Sequence, residues 1–160
     1  MRIPAIFLAA MVLAASHVSS VYGQAAPASY GSVLSGTIQS PLCSADTFAS
    51  GDALGDVSGS FFLAFDCQNG ALTGGTWLVL VTADGPDGTT EILGTIRGQV
   101  RHGSFEPTAD GARVSVRNVS LSITEGTGRY AAIVEGTGSL DATADPDALP
   151  QFVGTLGLTF

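Results

Sequence analysis

A chain of 160 residues with a formal net charge of −8, six arginines and no lysine is long enough for one hydrophobic core and too short for two ordinary domains. The acidic balance excludes nucleic acid as a partner, because phosphate binding needs a basic surface. With 21 glycines, few strong helix formers and no helical apolar stripe beyond Tyr22, the composition also excludes a helical protein.

Met1-Arg2 precedes the apolar run Ile6 to Ala15, which is too short to span a bilayer. Val21 and Gly23 then stand where a cleavage before Gln24 needs them. Residues 1–23 read as a secretory signal peptide, so the mature protein is expected in the periplasm or the medium, with no membrane span left after its removal. Residues 24–32 are small, polar and proline-containing and read as a flexible tail; residues 33–160 form the folded domain. Lysine avoidance beside abundant Ala, Gly, Asp and Arg resembles the coding bias of GC-rich bacteria, and on that reading the sequon Asn118-Val119-Ser120 is silent. After the leader only Cys43 and Cys67 remain, and two cysteines in an exported chain read as one disulfide.

The first strand is weak, around Val33 to Gln39, and a loop with Pro41, Cys43, Asp46 and Gly51 follows. Over Ser58 to Cys67 the period of two puts Phe61, Leu63, Phe65 and Cys67 on one face and Phe62, Ala64 and Asp66 on the other. Asn69-Gly70 signals a hairpin into Thr73 to Thr82, where Trp77-Leu78-Val79-Leu80-Val81 is apolar on both faces, so this strand is central or lies under a partner. Asp84 to Gly88 is a turn. Thr90 to His102 sets Ile92, Ile96 and Val100 against a face holding Arg97 and Arg101. In Ala112 to Thr124 the apolar phase flips between Val116 and Val119, which predicts a bulge at Arg117-Asn118. A strand over Arg129 to Asp141, a proline-rich connection and a last apolar strand, Phe152 to Phe160, complete the chain. Seven to eight short strands with glycine-rich turns imply an all-β fold, a single antiparallel barrel with a β-sandwich as the alternative. The barrel is preferred because glycines inside strands fit sharply coiled sheets that the last strand closes onto an early one.

The segment Ile123 to Tyr130 with its Gly126-Thr127-Gly128 turn, followed by Gly136-Thr137-Gly138 and Phe152 to Leu156, resembles the second half of the allene oxide cyclase and dirigent-like barrels. The resemblance covers about the last 45 residues. It implies a turn with positive φ at Gly126 and Gly128, after which Tyr130 enters the next strand. Glu125 stands where the family tends to have a further glycine, and none of the family's catalytic residues has a match here, so the fold carries over and the activity does not.

His102 is the one histidine of the mature chain and lacks the partners of a triad. No metal ligand set and no cofactor motif is present, and the acidic turn Asp84 to Gly88 lacks an EF-type spacing. Among the acids nearest to strands, Asp66, Glu91, Glu125 and Glu135, the last interrupts a small, apolar segment. The arginines are the one site candidate. A hairpin pairing Val100 with Val114 sets Arg101 opposite Arg113 and Arg97 opposite Arg117, a basic face that calls for either neighbouring acids or an anionic ligand.

Three function classes follow. The leading one is a non-enzymatic exported barrel that binds a small molecule or another surface. The second is a cyclase or isomerase with an apolar cavity, and the third a structural, envelope-associated protein using the Trp77 strand as a homo-oligomer contact. A filled interior argues for the structural role, and a hollow polar one for a ligand or substrate.

Overall fold

In a computed structural model the described residues are 29–39, 43, 47–56, 58–109, 113–145 and 151–160. The expected leader, 1–23, lies outside them. Eight strands, β1 (Ser29–Gln39), β2 (Thr47–Gly55), β3 (Ser58–Gln68), β4 (Ala71–Asp84), β5 (Thr90–Pro107), β6 (Val114–Gly126), β7 (Gly136–Asp145) and β8 (Gln151–Thr159), run up and down, and each pairs antiparallel with the next. β8 returns to β1, with Tyr30 opposite Leu158 and Gly36 opposite Phe152, so the sheet closes into a barrel and leaves no edge.

The inward faces follow the alternation expected of β3 and β8, and β4, expected to be apolar on both faces, also buries alternate residues. Phe61, Leu63, Phe65 and Cys67 are all buried, as are Trp77, Val79 and Val81 on β4 and Phe152, Leu156 and Leu158 on β8. What fits these large side chains into a small barrel is a set of glycines beside them. Phe152, Gly36, Gly51 and Phe61 are register partners across four consecutive strands, β8, β1, β2 and β3. With no side chains between them, the two rings meet over the glycines with centroids 5.6 Å apart. A Cβ on Gly36 would lie 2.1 Å from the Ser50 carbonyl oxygen, and one on Gly51 would lie 2.2 Å from that of Ser35.

Four expectations are corrected. The chain joins the barrel at Ser29 rather than Val33, with Tyr30 and Ser32 buried, so residues 29–32 belong to the fold, while 24–28 lie outside the described residues. β2 occupies part of the segment read as a loop. The strand expected over Arg129 to Asp141 begins only at Gly136, because Gly128 to Tyr130 form one 3-10 turn. Gly128 has the positive φ, +59°, while Gly126 does not, and Tyr130 leaves the sheet to become fully buried with the core residue Ile133 rather than entering a strand. Thr127 pins this turn: its N–H donates to the Thr95 carbonyl at 2.9 Å and its Oγ1 accepts from the Thr95 N–H at 3.0 Å.

The bulge in β6 is present. Val116 pairs with Ala142 and Val119 with Leu140, so Arg117 and Asn118 together oppose Asp141, whose Oδ1 accepts from the Asn118 N–H at 3.0 Å. Asn118 takes a φ of +51°, and Val116, Val119, Leu121 and Ile123 all point inward.

Burial raises the phenol pKa of Tyr30 and of Tyr130 above the ordinary 10.0, and for Tyr30 the neighbouring Tyr130 and Asp56 add to the shift. A folded-state pKa above the unfolded one means that stability is complete below the unfolded value and is lost as pH rises through the folded one. The chain has no lysine and both of its cysteines are bridged, so among the described residues these two phenols dominate the alkaline limb. The melting temperature is therefore expected to hold up to the unfolded phenol value, about pH 10, and to fall as the pH rises beyond it. A Tyr30→Phe, Tyr130→Phe double variant should flatten that fall; an unchanged slope would refute the assignment.

Candidate functional site

The arginines come first, because the sequence singles them out. β5 does not end near His102: a bulge at Arg101 to Gly103 shifts its phase, Phe105 points inward, and the strand continues to Pro107. The hairpin therefore turns between Thr108 and Arg113, closed by the Thr108 N–H donating to the Arg113 carbonyl at 2.8 Å. Pro107 faces Val114 and Val100 faces Leu121, so the expected pairing of Val100 with Val114 does not form. Arg101 does not oppose Arg113, and Arg97 does not oppose Arg117.

The four side chains part company. Arg97 stands opposite Glu125 and is bound to its Oε2 through Nε, at 3.0 Å, and through Nη2. Arg101 donates through Nε to the Ser122 hydroxyl at 3.0 Å. Arg113, in the turn, is 3.9 Å from Asp145. Arg117, on the bulge, faces a shallow depression shared with Asp141, Thr143 and Val153 on β7 and β8. Arg97 and Arg113 thus have carboxylate partners, and the two expected arginine–arginine pairs across the hairpin do not form.

The other sequence candidates are also placed. His102 is exposed at the β5 bulge, and Glu135 is exposed in the segment before β7. At the β4–β5 turn Oδ1 of Asp87 accepts from both the side-chain hydroxyl and the N–H of Thr89, which lowers the carboxyl pKa and commits that oxygen to the turn. No cluster of three or more His, Cys, Asp or Glu side chains able to hold a metal occurs among the described residues.

Among the described residues the core side chains pack closely. Between Leu34, Phe61, Leu63, Trp77, Leu121 and Leu156 the free space is about 10 Å³, at the lower limit for one water molecule. On the outer wall, by contrast, β2 to β6 form a groove of about 760 Å³. Its apolar part is Phe48, Phe62 and Leu78; its polar part is Ser50, Thr76, Arg97, Gln99 and Thr124. The register builds it: Ser50, Phe62, Leu78, Arg97 and Glu125 are successive partners from β2 to β6, and Phe48, Ala64, Thr76 and Gln99 form the adjacent row. Phe48 and Phe62 are 50% and 51% exposed, unusual for aromatic rings with a filled core beside them.

Of these residues the sequence singled out Arg97 as a site candidate, and it placed Phe62 off the core face of β3 and Leu78 on the doubly apolar strand. It missed Phe48 with the whole of β2, and it missed Glu125 as the partner of Arg97. Compared with known protein families, with curated proteins and with solved structures, the chain matches none of them.

Proposed function

We propose that this chain is an exported, non-enzymatic barrel that binds a small molecule or another surface through the groove on its outer wall. The observation that carries the reading is the contrast between a filled interior, with about 10 Å³ free, and an external groove of about 760 Å³ presenting two exposed phenylalanines. That groove falls in the size range of small-molecule sites. A filled barrel gives a cyclase or isomerase no chamber in which to hold a substrate away from water, which weighs against the enzymatic alternative. The Cys43–Cys67 bridge suits an oxidising compartment and supports export to the periplasm or the medium. Kinship with the allene oxide cyclase and dirigent-like barrels rests on the Gly126-Thr127-Gly128 segment and its sequel, and lends the reading no activity.

N-phenyl-1-naphthylamine, an uncharged apolar dye, tests the groove. Saturable fluorescence enhancement is expected with the natural protein, weakened about tenfold or more in a Phe48→Ser, Phe62→Ser double variant through lost apolar contact. Absence of saturable binding, or equal binding by the variant, overturns the reading. The filled interior also favours a structural role, and sedimentation separates it: self-association abolished by the same double variant, with no dye binding, would make this wall an oligomer contact.

A further inference from the structure

The groove's one charged side chain is already neutralised before anything enters. Arg97 gives its Nε–H and an Nη2–H to a single oxygen of Glu125, and this pair spans the β5–β6 register just beyond the groove. Arg97 lines the groove and Glu125 does not, so an occupant meets the guanidinium's remaining N–H donors without its net charge. The other polar lining groups, Ser50, Thr76, Gln99 and Thr124, are all neutral hydrogen-bonding side chains. The chain as a whole carries a charge of −8, which repels anions from any weakly cationic site.

Resting on the reading of this groove as a binding site, we infer that its ligand is an uncharged, ring-containing apolar molecule with a carbonyl, ether or hydroxyl acceptor, and that the Arg97–Glu125 pair sets this selectivity against anions. The rings of Phe48 and Phe62 take the flat apolar body by offset stacking, over Leu78. The free donors of Arg97 and the Gln99 amide take the acceptor. A carboxylate or sulfonate at the same place competes with Glu125 for the guanidinium and faces its second oxygen, so binding it costs either the ion pair or a like-charge contact. A second copy of the chain is the poorer occupant, because a two-fold contact sets the same surface against itself and a concavity does not fill a concavity.

Two dyes with the same ring system separate these ideas: uncharged N-phenyl-1-naphthylamine and its sulfonate, 8-anilino-1-naphthalenesulfonate. The natural protein is expected to bind the uncharged dye more tightly. Glu125→Gln, which frees the guanidinium charge, should strengthen the sulfonate about fivefold, the scale of one exposed ion pair, and leave the uncharged dye within about twofold. Arg97→Gln, which leaves Glu125 unpaired, should weaken the sulfonate further. Both side chains are about half exposed, 55% and 46%, so both variants are expected to fold, and a thermal melt checks this. Equal or tighter sulfonate binding by the natural protein, or no change in Glu125→Gln, overturns the selectivity while the groove stands. Failure of both dyes to bind the natural protein removes the groove, and the selectivity with it.

Discussion

Alanine in place of Gly98 is expected to destabilise the barrel by about 3 kcal/mol or more, among the largest effects a single methyl group can have. Gly98 lies on β5 between Trp77 of β4 and Ile123 of β6, at a point where the β5–β6 register shifts. The Trp77 indole uses the space that Gly98 leaves and donates from Nε1 to the Ser122 carbonyl at 3.2 Å, reaching past β5 altogether. A Cβ at position 98 would lie 1.7 Å from that carbonyl oxygen and 2.9 Å from the indole nitrogen. Neither neighbour can yield cheaply: the oxygen belongs to backbone, and the indole is buried in a filled core. The variant must either displace Trp77 or spread β5 from β6. Because Trp77 is the only tryptophan, its emission reports the outcome directly, and a red shift with lowered urea resistance is expected. A variant with unchanged emission and stability would show that the strands part without strain, contrary to the geometry.

This glycine also marks where the sequence could and could not be read. β3 was legible because Phe61, Leu63, Phe65 and Cys67 recur with a period of two, the pattern of a strand with one face in a core. β2 was not, since its inward residues are small, Ala49, Gly51 and Ala53, and they are small because Phe61 and Phe152 fill the space above them. A hydrophobicity pattern records what a residue contributes and not the room it leaves for another. The two bulges teach the same lesson. The one in β6 could be read because Val116 and Val119 flank it, whereas that in β5 is followed by Gly103 and Ser104 before Phe105 resumes the inward face. With the β5 bulge unseen the hairpin turn was placed too early, and Arg97 and Arg101 were set opposite Arg117 and Arg113, pairs that the true register does not make. Phe62 and Leu78 were visible as apolar residues off the core faces of their strands, though nothing in the pattern joined them into a groove. Phe48 lies in the unread strand.

Removing the disulfide, by a Cys43→Ala, Cys67→Ala double variant, is expected to lower stability by about 3 to 4 kcal/mol and the melting temperature by about 10 °C. Cys67 is buried at the end of β3, where the β3–β4 register shifts between Asp66 and Cys67, and Cys43 packs against the core from the connection between β1 and β2. With a sequence separation of 24 the bridge ties off that connection together with β2, the strand least able to hold itself by apolar side chains. In the chain-entropy account a closed loop of this length restricts the unfolded ensemble by the amount stated, and the native barrel gains by comparison. The loss should also be local. Phe65 and Phe105, whose ring centroids are 6.0 Å apart, lie on the same inward side as Cys67, so amide exchange in β2 and the neighbouring part of β3 should quicken before that in β7 and β8. Thiol titration of the unfolded, unreduced natural protein is expected to find no free thiol. A double variant as stable as the natural protein, with uniform exchange around the barrel, would mean that β2 is held by its ladders to β1 and β3 alone and that the bridge adds nothing to the fold.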